Sequence, residues 1–146
     1  MPTRTARTAW NGSLQEGSGQ VELSSSKVGT YDVSFPKRAA EDAGGTTSPE
    51  ELIAAAHSAC YAMQLSAVIG EAGGTVASLE VSADVSLGPD KTNGGFMLTG
   101  IALSVRGEVD GLDADGFANA AEAAKVGCPV SKALTGVEIS LDAALA

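Results

Sequence analysis

The most reactive side chains in this sequence are two thiols, Cys60 and Cys128, set nearly half the chain apart and outside any CxxC pair. A thiol does its chemistry as the thiolate, whose population rises beside a cation or at a helix N-terminus and falls in apolar surroundings. Cys128 meets the second condition, because Gly127 breaks one helical run and Pro129 opens a short one. Cys60 meets neither. It sits among Ala, Met and Leu in a long apolar run, where burial alone would leave the thiol protonated and inert. An activating cation must come from elsewhere, and Arg38 in the preceding loop is the natural candidate. On these residues alone two readings stay open: buried inert thiols, or a redox pair.

An acidic partner is constrained by geometry. Glu50 lies ten residues before Cys60, roughly 15 Å along one helix at about 1.5 Å per residue. The two cannot meet within that helix, so a Glu50 that serves Cys60 needs a symmetric copy of the helix or an intermediary. Glu51 reads as the capping-box residue of the same helix. The lone His57 lies three residues before Cys60 on roughly the same face. It is either a structural histidine, hydrogen-bonded in the core or at an interface, or a group that tunes the thiol. Tyr61 and Met63 read as core or pocket wall, and Lys132 as solvated.

Other chemistries are excluded by absence. One histidine and two dispersed cysteines make no zinc motif, and the chain carries no P-loop, GxGxxG or GxSxG signature. Nine basic residues face eighteen acidic ones, a formal charge of −9. Such a surface repels phosphate backbones and anionic membranes, which argues against nucleic acid or membrane as a partner. Residues 1–10 lack an apolar signal core, so the expectation is a cytoplasmic protein with thiols kept reduced. Residues 52–70 are uncharged and nearly as long as the about 20 residues that span a bilayer. His57, Ser58, Gln64, Ser66 and many alanines make that stretch a buried helix instead.

The elements that must position these groups can be read from pattern. With 146 residues, 44% hydrophobic and 18% charged, the chain suits one globular domain over residues 1–146. Strand-like runs cover 3–10, 20–24 and 31–35, with Asn11-Gly12 as a hairpin turn, Pro36 as a terminator and 39–47 as a mobile loop. Ser48-Pro49-Glu50-Glu51 opens a helix by capping serine, proline at the first position and glutamate three residues after the cap. Gly73-Gly74 ends it. Because this helix is apolar nearly all round, it is expected to be central and covered on most sides. Val81, Ala83, Val85 and Leu87 alternate as a half-buried strand, and Met97, Ile101, Leu103, Val105 and Val109 keep that phase after an Asn93-Gly94-Gly95 turn. Residues 112–125 form a helix capped by Asp113, with Phe117, Ala120, Ala121 and Ala124 inward, then a helical turn from Cys128 to 134 and a last strand through Val137, Ile139 and Leu141. The order of elements implies an α+β fold with a mostly antiparallel sheet.

Two segments, Ser48-Pro49-Glu50-Glu51-Leu52-Ile53-Ala54-Ala55-Ala56-His57-Ser58-Ala59-Cys60 and Cys128-Pro129-Val130-Ser131-Lys132-Ala133-Leu134, resemble the OsmC/Ohr family of osmotically inducible and organic-hydroperoxide-resistance proteins. The resemblance extends over the full length, and the Ser-Phe-Pro-Lys37-Arg38 segment favours the OsmC branch. It implies an OsmC-like fold, with mostly antiparallel sheets wrapped around central helices in an intertwined homodimer whose two sites take groups from both chains. It implies a thiol-dependent peroxidase with no bound cofactor, acting on organic hydroperoxides. Cys60 matches the peroxidatic cysteine, Cys128 the resolving one, Arg38 the arginine that stabilises the thiolate, and Glu50 the glutamate that holds that arginine. Arg4 and Arg7 are weaker competitors for the arginine role. The implied cycle takes Cys60 to a sulfenic acid and then to a disulfide with Cys128, which an external dithiol or a lipoylated protein reopens. An apolar site lined by the central helix would favour alkyl and fatty-acid hydroperoxides. A peroxide sensor and a hydrophobic-ligand-binding protein of the same fold are the alternatives.

Overall fold

In the computed structural model, which describes residues 1–146, three strands, two helices, two strands, two helices and a last strand follow one another along a chain of two compact units, Met1–Leu52 and Ile53–Ala146. The boundary falls inside the long helix.

The first unit is an antiparallel meander of β1 (Arg7–Asn11), β2 (Ser18–Glu22) and β3 (Thr30–Val33). The first strand ends where expected, at Asn11-Gly12, where Gly12 takes a φ of 92° that other residues resist. Beyond β3 the structure departs from the sequence reading. Pro36 does not merely stop the strand; it sits in the first turn of a short helix, α1 (Phe35–Arg38), whose N-cap Ser34 Oγ accepts a hydrogen bond from the Lys37 N–H. A proline φ is already that of a helix start, so a strand terminator and a helix opener look alike in sequence. Arg38 is therefore the last residue of a helical turn rather than part of an irregular loop.

Ser48 then starts α2 (Pro49–Glu71) as its pattern requires, Ser48 Oγ accepting from the Glu51 N–H at 3.1 Å. The expected return bond of a capping box is replaced: the Glu51 carboxylate accepts from the Thr47 hydroxyl at 2.9 Å. In the second unit α2 buries a single stripe at four-residue spacing, His57, Tyr61, Leu65 and Ile69. Its other side, Ala56, Ala59, Ala67 and Met63 (74% exposed), stays open. By length and composition this helix passes for a membrane span. The expectation of a helix covered on most sides thus does not hold within one chain, and Met63, read as core or pocket wall, is not core there. Uniform apolarity tells that a helix has no polar face; it does not tell what covers each face.

The stripe seats on a three-stranded sheet of β4 (Thr75–Pro89), β5 (Phe96–Asp110) and β6 (Ile139–Leu145), together with α3 (Ala114–Gly127). Cross-strand rows Val81–Val105–Ala143, Ala83–Leu103–Leu141 and Val85–Ile101–Ile139 present one apolar face. Phe117, Ala120, Ala121 and Ala124 of α3 are the inward stripe, as expected, and Asp113 Oδ1 caps the helix through the Gly116 N–H at 2.8 Å. β6 runs parallel to β5, because α3 and the short α4 (Pro129–Ala133) carry the chain back across. One phase assignment fails. The register pairs Ser86 with Gly100 but Leu87 with Leu98, so Thr99 is an extra residue on β5. That bulge turns Leu98 to the Leu87 side and leaves Met97 42% exposed.

Candidate active site

The second unit brings the two thiols together. Cys128 is fully buried in the core cluster, and Cys60 packs against that cluster from α2, its thiol close enough to that of Cys128 for each to shift the other's acidity. Both cysteines are free. Neither could be placed by sequence separation; the contact exists because α2 and the α3–α4 junction share one core. Cys128 is the N-cap residue of α4, with extended backbone (φ −62°, ψ 123°) before Pro129.

The two sulfurs are driven in opposite directions. Burial pushes Cys60 up, the Val130 N–H partly offsets this, and the neighbouring Cys128 adds to the rise. Burial also pushes Cys128 up, but there the Ser131 N–H, the Cys60 thiol, the Ser131 hydroxyl and the Val130 N–H together outweigh it, and the net direction is down. Taken by themselves, these surroundings make Cys128 the more acidic of the two thiols.

The first unit holds a second pair. Arg38 donates from Nε to both Glu50 carboxylate oxygens, at 3.0 and 3.1 Å, and from Nη2 to Oε1 at 2.6 Å. The Glu50 side chain is 11% exposed and that of Arg38 31%. Three charge-assisted bonds fix the plane of the guanidinium and leave Nη1 uncommitted to Glu50. Glu50 meets Arg38 because α1 and the first turn of α2 lie in one unit, twelve residues apart. The competing arginines are placed otherwise: Arg7 pairs at the surface with Glu22 at 3.5 Å, and Arg4 is exposed.

Beside Arg38 the same unit carries an apolar cavity of about 400 Å³, lined chiefly by Trp10, Leu14, Val21, Phe35, Pro49 and Leu52. Its walls come mainly from β1, β2, the turn between them and α1, with only the first turn of α2 contributing. The signal for this cavity was available: Trp10 and Phe35 are large apolar side chains at the ends of short, otherwise polar runs.

Two further side chains touch the thiol region. His57 Nε2 lies 2.7 Å from Ser131 Oγ, both residues being buried, while His57 Nδ1 has no hydrogen-bond partner. Ser131 was not singled out in sequence, although its place three residues after an N-cap is where a side chain returns toward the cap. Lys132 is exposed, as expected. Nowhere do three His, Cys, Asp or Glu side chains gather as a metal site.

With this geometry in view, likeness to known proteins becomes informative. Residues 42–142 match the family described as OsmC-like protein. The chain is 44% identical to Peroxiredoxin OsmC of Escherichia coli over 133 residues, 91% of this chain and 90% of that protein. Its fold superposes on the crystal structure of the organic hydroperoxide resistance protein OhrB of Bacillus subtilis with a TM-score of 0.76 and 31% identity, covering 95% of this chain and 97% of the other. An organic hydroperoxide resistance protein from Elizabethkingia anophelis gives a TM-score of 0.79 at 29% identity, covering 100% and 98%.

Proposed function

The chain belongs to the OsmC-like protein family, and from that premise we propose that it is a thiol-dependent peroxidase that reduces organic hydroperoxides to alcohols. The observation that carries this reading is the proximity of Cys60 and Cys128 across nearly half the chain, with both thiols free.

Cys60 attacks the distal peroxide oxygen as a thiolate; the O–O bond breaks, the alcohol leaves with a proton, and Cys60 becomes a sulfenic acid. Cys128 then displaces that oxygen as water and closes a Cys60–Cys128 disulfide. An external dithiol, or a lipoylated protein presenting one, reopens the bridge by exchange, and no prosthetic group enters the cycle. Burial pushes the Cys60 thiol up, so the attack needs a cation. In this reading Arg38 supplies it, held planar by Glu50, and polarises the peroxide as it does so. The apolar cavity at Arg38 accommodates an alkyl chain, which favours organic peroxides over hydrogen peroxide. The site is completed in a homodimer. The open apolar side of α2 around Met63 is the surface such an assembly would cover. The protein so described works in the cytoplasm, where dithiol reductants keep it turning over.

One experiment separates this from a sensor or a ligand carrier. Intact mass after a single equivalent of cumene hydroperoxide should show two hydrogens lost per chain, mapped to Cys60–Cys128. Many equivalents should be consumed when dihydrolipoamide is present, and none by Cys60→Ser. One oxidation without turnover would indicate a sensor. Two free thiols after peroxide would rule out the enzyme.

A further inference from the structure

We propose that His57 and Ser131 are positioning residues for the second sulfur, a buried string of hydrogen bonds that runs from the imidazole through the Ser131 hydroxyl to Cys128 and holds it ready to close the disulfide. The inference rests on the peroxidase reading and adds to it two residues that never touch the peroxide.

Three observations converge. The His57 ring is fully buried and its Nε2 lies 2.7 Å from a Ser131 hydroxyl that is itself 5% exposed. Ser131 stands three residues after Cys128, in the first turn of the helix that Cys128 caps, and its hydroxyl is among the groups that pull the Cys128 thiol down. The other ring nitrogen, Nδ1, is buried without a partner, a cost that a residue present only for packing would avoid.

The hydroxyl has one proton to give, and this orders the string. With the imidazole proton on Nε2, the ring donates to Ser131 Oγ, the hydroxyl donates to the Cys128 sulfur, and Nδ1 is left as a bare acceptor. With the proton on Nδ1, the hydroxyl must donate to Nε2, Cys128 loses its donor and a buried N–H is stranded. Stranded donors are the rarer defect in proteins. The first arrangement is therefore the one that satisfies the site. Burial keeps the ring neutral, so His57 acts as an oriented donor and not as a cation or base. The titratable groups around Cys128 are Cys60, His57 through Ser131, and Tyr61, whose hydroxyl donates to the Ala121 carbonyl at 2.9 Å and is held neutral by burial, by Glu122 and by Cys128 itself.

The step served is balanced without further reagents. The Cys128 thiolate attacks the sulfenic sulfur of Cys60, the S–S bond forms, the S–O bond breaks, and the departing hydroxide takes up the proton Cys128 lost, leaving as water. Cys60 is reduced and Cys128 oxidised by the same electron pair. A string that donates only hydrogen bonds stabilises the thiolate beforehand and releases it as its charge is spent.

The test reads Cys128 directly. In Cys60→Ala protein, thiolate absorbance should titrate about one pH unit higher after Ser131→Ala or His57→Leu, and His57→Gln, which keeps an N–H near the Nε2 position, should recover most of the shift. In protein with both cysteines, rapid-quench mass spectrometry with cumene hydroperoxide should show the singly oxygenated species forming at the wild-type rate in Ser131→Ala while bridge closure slows about tenfold. A midpoint unmoved in all three folded variants, or closure within about twofold of wild type, overturns the proposal. If wild type itself gains no oxygen and closes no bridge, the peroxidase reading fails, and with it the role in closure. The titration would still decide whether the string acts on Cys128.

Discussion

Replacing Glu50 with alanine strands the Arg38 guanidinium, and the cost can be bounded from the geometry. The pair makes three close contacts, of 2.6, 3.0 and 3.1 Å, and Glu50 is nearly enclosed. Removing one partner of a buried pair costs about 3–5 kcal/mol, whereas an exposed pair contributes about 0–1 kcal/mol. Arg38 keeps 31% of its side chain in solvent, so water relieves part of the stranded charge, and the coupling should lie between these limits, at about 1–3 kcal/mol. A double-mutant cycle of Glu50→Ala, Arg38→Ala and the combined variant isolates that term. It should be measured by urea unfolding at pH 7 and one protein concentration, since assembly would otherwise shift the midpoints. An enclosed fork is shielded from ions, so most of the coupling should survive in 1 M salt, where the screening length falls to about 3 Å. The catalytic reading adds a second readout: Glu50→Ala, with Arg38 untouched, should lose peroxidase rate because the guanidinium is no longer aimed. A coupling below about 0.5 kcal/mol, or one abolished by salt, would place the pair among ordinary surface contacts and refute the argument.

Two further outcomes follow from the core of the second unit. Tyr61→Phe removes a hydroxyl that donates to the Ala121 carbonyl inside a fully buried cluster. It should cost about 1 kcal/mol, or about 2–4 °C in Tm by calorimetry; an unchanged Tm would show that the bond contributes nothing. His57, whose pKa is lowered by burial, takes up its proton more readily unfolded than folded. Its contribution is therefore present above the unfolded value near 6.5 and lost as pH falls below it. The stability gap between wild type and His57→Gln should shrink on acidification by up to about 1.4 kcal/mol per pH unit until the folded ring protonates. Paired urea titrations at pH 7.5 and 5.0 with an unchanged gap would contradict a buried neutral ring.

How much could be read in advance divides along physical lines. Ser48, Asp113, Pro129 and the Gly94-Gly95 turn act over a few residues, through steric limits on φ and through hydrogen bonds to the nearest free N–H groups, and each stands where its residue type predicts. The alternation from Val81 to Leu87 and the inner stripe of α3 are equally local, since periods of two and about 3.6 residues follow from backbone geometry. The two cysteine segments were legible as a resemblance for the same reason, being short and contiguous.

Other features depend on which elements meet. One extra residue at Thr99 exchanged the roles of Met97 and Leu98, and no alternation pattern can contain a bulge that only the partner strand defines. The long apolar run from Leu52 to Gly70 shows that α2 avoids charge, but only the packing of β5 and α3 selects His57, Tyr61, Leu65 and Ile69 as its inner stripe. Sequence determined that Arg38, Glu50, Cys60, Cys128 and His57 were the groups worth watching. Tertiary structure decided which of them touch: Arg38 with Glu50, Cys60 with Cys128, and His57 with Ser131, which lies inside the second cysteine segment but had been given no role. Local rules set the conformation of each segment, whereas contacts between distant residues are set by the one arrangement that buries all the apolar faces of a unit at once.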